Sequence, residues 1–224
     1  MRQRRKKHLE ERLDGCGELL LQLHSTELRH DAPDDGSQRL DLAALFGGEG
    51  ETRLEIGCGR GSFVCEMARR CPDVHFLAVE KNRSVLLDAC KAAAAQGLTN
   101  IRFLAVEAEY LPRFIPPHAV SRIYLNFSCP HPKVRDAVHR LTHARFLAMY
   151  KTLLAPGGEI HQKTDNRGLF EFSIEQFSSG GYRLQNVSLD LHHSDFEGNI
   201  PTEYEQKFAA LGMPIYRLEA VPKP

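Results

Sequence analysis

Glu55-Ile56-Gly57-Cys58-Gly59-Arg60-Gly61 is the segment of this chain whose residue types and spacing most directly specify chemistry. Glycine at alternate positions permits a tight turn and lets the backbone approach a ligand closely. Glu80 closes the next apolar run, VHFLAVE, where doubly wound folds place an acid that accepts hydrogen bonds from ribose hydroxyls. Two adenosine-bearing cofactors compete for such a site. A dinucleotide fingerprint reads G-x-G-x-x-G and rests its pyrophosphate on a helix N-terminus. Here the spacing is G-x-G-x-G, and Glu55 stands two residues ahead of the first glycine. A carboxylate there repels pyrophosphate and suits a cation, which favours the methionyl amine of S-adenosylmethionine. Glu107, just past a third apolar run, is placed to reach an adenine amino group. Taken alone it reads more often as a charge at a helix N-terminus.

These residues need a sheet to hold them. RLEIG (53–57), VHFLAVE (74–80), IRFLAV (101–106), RIYLNF (122–127) and EIHQKT (159–164) read as buried strands. Between them, Phe63, Val64, Met67, Ala68 and Cys71 have helical spacing that Pro72 stops, and an alanine-rich helix ends near Gly97. A further helix carries Phe146, Leu147, Tyr150, Leu153 and Leu154 on one face, with Thr142 placed to cap it. Pro156-Gly157-Gly158 reads as a turn before the next strand. The repeated strand–helix order predicts an α/β fold with a doubly wound, mainly parallel sheet. YRLQNVSLDL (182–191) and PIYRLEAV (214–221) look extended and fit an antiparallel pair at the C-terminal edge. One domain over 51–224 is expected, with 1–50 a basic N-terminal extension of the same domain.

Lys+Arg and Asp+Glu number 29 each, so the formal charge is zero. That weighs against nucleic-acid binding, which usually leaves a basic excess. The distribution is less even, with Arg2, Arg4, Arg5, Lys6 and Lys7 in one cluster and another from Lys133 to Arg145. Such clusters are as readily solvated faces. No run approaches the roughly 18–20 apolar residues of a membrane span, and MRQRRKKHLEERL lacks the apolar stretch of a signal peptide. A cytoplasmic protein is expected. Cys16, Cys58, Cys65, Cys71, Cys90 and Cys129 form no CxxC pair and no zinc spacing with histidine. They read as reduced thiols, mostly small buried hydrophobes, and no metal is expected. His192 and His193 read as ordinary loop residues.

From Glu55 onward the order of motifs resembles the bacterial tRNA (guanine-N7)-methyltransferase family. LEIGCGRG is similar to its donor loop and LAVEKN to its ribose-binding strand. IYLNFSCPHPKVR, GGEIHQKTDNRGLFEFS and LDLHHSDFEGNIPTEYEQKF resemble its later signatures. The donor loop is general to methyltransferases, whereas the later motifs are specific to this family, and the likeness covers nearly the whole chain. It implies a Rossmann-like class I methyltransferase fold. The implied activity is methyl transfer from S-adenosylmethionine, leaving S-adenosylhomocysteine, to N7 of a variable-loop guanine in tRNA, by a monomer or homodimer. By the same resemblance Glu55, Glu80 and Glu107 contact the donor, with Gly57, Gly59 and Gly61 lining it. The assignment of Glu107 to the adenine leans on this resemblance. Lys133, Asp165 and Thr202-Glu203-Tyr204-Glu205 contact the RNA. The chemistry agrees in type, because guanine offers N1–H and N2–H₂ donors to a carboxylate such as Glu205 or Asp165 once the base is unpaired and splayed out. Without the resemblance, Glu205 reads as a solvated surface glutamate. Arg135, Arg140 and Arg145 become phosphate contacts that fix position rather than sequence.

The sequence departs from the family at Cys129, where relatives carry aspartate, and at His131, where tryptophan is usual. An unperturbed thiol is mostly neutral at pH 7 and does not replace a carboxylate as a charge-paired acceptor. Two alternatives follow: a catalytically impaired tRNA-binding relative, motivated by Cys129, and a small-molecule methyltransferase, motivated by the neutral net charge. A third role, Cys129 as a nucleophile of the pyrimidine C5-methyltransferase kind, fits less well because that cysteine follows a proline and this one precedes Pro130.

Overall fold

A computed structural model of the protein describes residues 6–21 and 36–223. Arg2, Arg4 and Arg5 of the basic run, and most of the polar 31–38 stretch, lie outside the described residues. The chain sorts into two compact units, residues 1–116 and 117–224.

In the first unit, in chain order, come α1 (Leu9–Asp14), β1 (Leu20–Leu21), α2 (Leu42–Phe46), β2 (Glu51–Ile56), α3 (Ser62–Arg70), β3 (Val74–Val79), α4 (Arg83–Ala95), β4 (Ile101–Leu104) and α5 (Leu111–Phe114). The strands pair in parallel in the order β1-β4-β3-β2. Leu54, Phe76, Leu77, Phe103 and Leu104 are buried, as are Leu86 and Leu87 of α4. That matches the near-continuous apolar runs expected of parallel strands covered on both faces. Asn82 caps α4, its side-chain oxygen accepting from the N–H groups of Ser84 and Val85 at 3.1 and 3.3 Å. The cap starts two residues after Glu80, so the acid at the end of β3 sits on a fixed turn. β1 has only two residues, too short for any periodicity to announce it.

The second unit contains β5 (Val120–Asn126), α6 (Ala144–Leu153), β6 (Leu154–Thr164), α7 (Arg167–Ser179), β7 (Tyr182–Ser188), α8 (Glu203–Ala209) and β8 (Tyr216–Pro222). β5 and β6 are parallel, β8 runs antiparallel to both β6 and β7, and the order is β5-β6-β8-β7. The C-terminal antiparallel edge pair is therefore present as expected. Two local expectations are corrected. Pro156-Gly157-Gly158 lies within β6, where the register jumps from Val120↔Leu154 to Arg122↔Glu159 and Gly157 takes φ +77. The glycine absorbs a bulge instead of separating helix from strand. Thr142 does not cap α6; His143 does, its Nδ1 accepting from the Arg145 N–H at 3.3 Å. Thr142 is buried and hydrogen-bonds Ser173 Oγ at 2.8 Å, tying the start of α6 to α7. Among the described residues no helix is long and apolar enough to cross a membrane.

Candidate active site

β2 ends at Ile56, and the chain turns through Gly57 with the N–H groups of Gly57 and Cys58 both donating to the Val79 carbonyl, at 2.7 and 2.9 Å. Gly57, Gly59 and Gly61 have φ of +83, +58 and +80, a region that strains other residues. Their surroundings differ. A Cβ at Gly57 or Gly59 would meet no atom within 4 Å, so this backbone faces open space that a ligand can occupy. At Gly61 a Cβ would lie 2.9 Å from Ala89 Cβ, so this glycine serves the packing of α3 on α4.

Glu55 is 2% exposed. Glu80 is half-buried, and its Oε1 accepts the Asn82 N–H at 2.8 Å. Both acids bear on the glycine loop, as Cys58 reveals. Burial first, then the Glu55 and Glu80 charges, hold its thiol well above the ordinary cysteine range. Burial and Glu55 likewise push Cys65 up to about 12. A backbone cradle bordered by this negative potential fits an ammonium or sulfonium and disfavours a pyrophosphate. Glu107 is exposed and stands at the N-cap of the 3₁₀ turn Ala108–Tyr110 without a side-chain capping bond.

In the second unit, a loop leaves β5 at Asn126. Phe127 has φ +52 and donates its N–H to the Lys163 carbonyl at 2.8 Å; His131 has φ +42. Ser128 Oγ is buried without a hydrogen-bond partner, and Cys129 is exposed. Arg140 braces the loop, with Nε donating to the Pro130 carbonyl and Nη2 to the His131 carbonyl, both at 3.0 Å, and its guanidinium 4.4 Å from the Phe172 ring centre. Arg145 donates to the Val138 carbonyl at 2.9 Å and lies over Phe146.

The 199–205 segment is anchored from beneath. Glu205 is fully buried, and its Oε2 accepts from Lys163 Nζ at 2.6 Å. Its Oε1 accepts from Asn199 Nδ2, and His192 Nε2 lies 3.3 Å away. Lys163 Nζ also donates to the Ile200 carbonyl at 2.8 Å and to Asn199 Oδ1 at 3.1 Å. Thr202 and Glu205 form a capping box at the start of α8. Tyr204 is 61% exposed, with its ring centre 6.5 Å from that of Phe127.

Residues 49–218 match the family model described as "Putative methyltransferase". The chain is 46% identical over 175 residues to the tRNA (guanine-N(7)-)-methyltransferase of Bacillus subtilis (strain 168), covering 78% of this chain and 82% of that protein. It is 49% identical over 175 residues to the protein of the same name from Halalkalibacterium halodurans, covering 78% and 80%. The chain belongs to the tRNA (guanine-N7)-methyltransferase family. Among solved structures, it superposes on the 16S rRNA methyltransferase KamB with TM-score 0.60 at 17% identity, covering 82% of this chain and 93% of that one. An antibiotic-related methyltransferase gives TM-score 0.58 at 16% identity, covering 88% and 97%. These likenesses show the Rossmann-like α/β methyltransferase fold.

Within this methyltransferase the first unit carries Glu55, Gly57, Gly59, Gly61, Glu80 and Glu107, and the bonds of the Gly57 and Cys58 N–H groups to the Val79 carbonyl set Glu55 and Glu80 beside one loop. In the second unit, Lys133 and Arg135 stand exposed, Arg135 beside Asp136 at 3.6 Å, whereas Arg140 and Arg145 bond their own chain. Asp165 is half-buried just past β6, and Thr202 is buried while Glu203 is exposed. Glu205 is not the solvated surface glutamate that its sequence position alone suggests, and His192 is more than a loop residue. Lys163 and Phe127 were missed. The signal for Lys163 was its place inside a buried strand, because a lysine there needs a partner.

Proposed function

We propose that this chain transfers a methyl group from S-adenosylmethionine to N7 of a guanine in tRNA, in the variable loop, within the cytoplasm. The observation that carries this reading is the open glycine backbone at Gly57 and Gly59 bordered by Glu55 and Glu80; the relatives' tRNA (guanine-N(7)-) activity supports the substrate. Glu55 would hold the methionyl amine, Glu80 the ribose hydroxyls and Glu107 the adenine amino group. S-adenosylmethionine, when bound, supplies an electrophilic methyl on a sulfonium.

Guanine N7 already presents an in-plane lone pair, so no side chain has to remove a proton from it. The chain's task is to orient the base, which is proximity catalysis, and to stabilise the positive charge appearing on the purine with carboxylates. Asp165 and the exposed Glu203 and Tyr204 would engage the base, with buried Thr202 and Glu205 holding that segment in place, and Lys133 and Arg135 would engage the phosphates. The test is incubation of tRNA lacking the modification with labelled donor, followed by reverse transcription or chemical cleavage to map the product. Label on a variable-loop guanine is expected; donor binding with no label on any guanine would refute the reading.

The exposed thiol of Cys129 favours one second reading, a tRNA-binding relative whose turnover is impaired. It requires binding without appreciable transfer in the native protein and a gain of transfer in Cys129→Asp.

A further inference from the structure

We propose that Phe127 and Tyr204 are the residues on which the extruded guanine stacks, a deepening that rests on the guanine reading above. One ring stands on the loop after β5 and the other on the first turn of α8, yet they lie nearly parallel, 19° apart with centres separated by 6.5 Å. That is the loose end of the range for aromatic pairs, so the two faces are not packed tightly on one another. Phe208 continues the series, its centre 6.5 Å from Tyr204 at 23°. Tyr204 is 61% exposed, so this chain leaves uncovered a ring whose burial would be favourable. Unpaired RNA bases are held by stacking on such rings.

Lys163 holds both rings in place. Its carbonyl accepts the Phe127 N–H at 2.8 Å, which fixes that residue in its left-handed conformation. Its ammonium holds Glu205, the residue next to Tyr204, at 2.6 Å. Lys163 is thus a positioning residue for the pair and not itself a substrate contact.

Stacking is tolerant of base identity, so the pair supplies orientation and leaves recognition of guanine to the polar groups. It fixes the plane of the base, and the N7 lone pair lies in that plane. Methylation also makes the purine cationic, and a cation over an aromatic face is attracted to it. The pair therefore acts on turnover as well as on binding.

The test uses Tyr204→Leu, Tyr204→Phe and Phe127→Leu in the full chain, with methyl-transfer kinetics. A synthetic tRNA carrying 2-aminopurine at the position the native protein methylates gives a second readout, because the probe is quenched when stacked on a ring. Tyr204→Leu and Phe127→Leu should each lower kcat/KM about 5- to 150-fold and brighten 2-aminopurine at saturating protein. Tyr204→Phe should stay near the native protein in both. Unfolding is not the concern at exposed Tyr204, and circular dichroism checks Phe127→Leu. Leucine variants with native kinetics and native emission would overturn the proposal. So would a Tyr204→Phe as impaired as Tyr204→Leu, which would assign the role to the hydroxyl. The guanine reading is decided separately, by whether the native protein methylates guanine at all.

Discussion

Replacing Lys163 with methionine should destabilise the protein far more than a surface lysine would. The Lys163 side chain is 7% exposed and that of Glu205 0%, so the variant leaves a carboxylate buried without its cation. Lys163→Met also removes the hydrogen bonds to Glu205, Ile200 and Asn199, at 2.6, 2.8 and 3.1 Å. Deleting one partner of a buried pair typically costs about 3–5 kcal/mol. In a protein of this size each kcal/mol moves Tm by about 2–4 °C, so a fall of roughly 6–20 °C is expected in calorimetry. The double variant Lys163→Met/Glu205→Gln no longer buries a lone charge, and its amide can still cap α8. It should recover more than half of the loss, giving a coupling well above the roughly 0.5 kcal/mol expected of independent sites. A Lys163→Met Tm within about 2 °C of native, or additive single effects, would refute the idea that this pair builds the 199–205 segment.

Gly59→Ala puts a methyl on a residue with φ +58 where a Cβ faces open space. It should weaken S-adenosylhomocysteine binding by titration calorimetry at least about tenfold, with a stability cost of only about 1–2 kcal/mol; unchanged affinity would place the donor elsewhere. Glu55→Gln should weaken the same ligand by about 10- to 150-fold, the range for a hydrogen bond to a charged group. Glu159 is held at about 2, chiefly by its hydrogen bond with His161 and also by Arg122. A depressed carboxylate stabilises the fold above its unfolded pKa near 4.3 and loses that contribution as pH falls towards 2. Acid unfolding should therefore steepen between pH 4 and 2, and Glu159→Gln should flatten that window. Lys133→Ala should reduce the slope of log affinity for tRNA against log salt by about one, whereas an unchanged slope would remove Lys133 from the phosphate contacts.

What the sequence disclosed follows from what leaves a pattern in it. Parallel strands bury both faces, so RLEIG, VHFLAVE and IRFLAV stand out as apolar runs, and the acids ending them are seen at once. Gly57 and Gly59 are legible for the same reason, since few other residues accept their φ. The bulge at Gly157 was not legible, because Pro-Gly-Gly signals a turn whether or not the strand continues through it. Thr142 was misread because its hydroxyl prefers Ser173 on α7, a partner 31 residues away. The anchoring of Glu205 was hidden for a related reason. Its partners Lys163, Asn199 and His192 lie on separate segments, and no spacing relates a strand lysine to a helix glutamate. The Phe127–Tyr204 pair belongs to the same class, an arrangement made by tertiary structure alone.

Cys129 is where this chain parts from its family's pattern, and the chemistry of N7 methylation says what that substitution should do. The purine gains a positive charge as the methyl arrives, so a carboxylate at this position could act in either of two ways. It could offset the charge, or it could merely accept a hydrogen bond from the guanine edge. The substitutions Cys129→Asp and Cys129→Asn separate them, because both side chains accept hydrogen bonds and only one is charged. Since Cys129 is exposed, neither change should disturb folding. If charge is what matters, Cys129→Asp should raise kcat by up to about 10²-fold, the lower end of what one electrostatic stabiliser contributes, while Cys129→Asn stays near native. Equal gains in both variants would assign the position to hydrogen bonding. No gain in either would show that the reaction needs neither a charge nor an acceptor at this position.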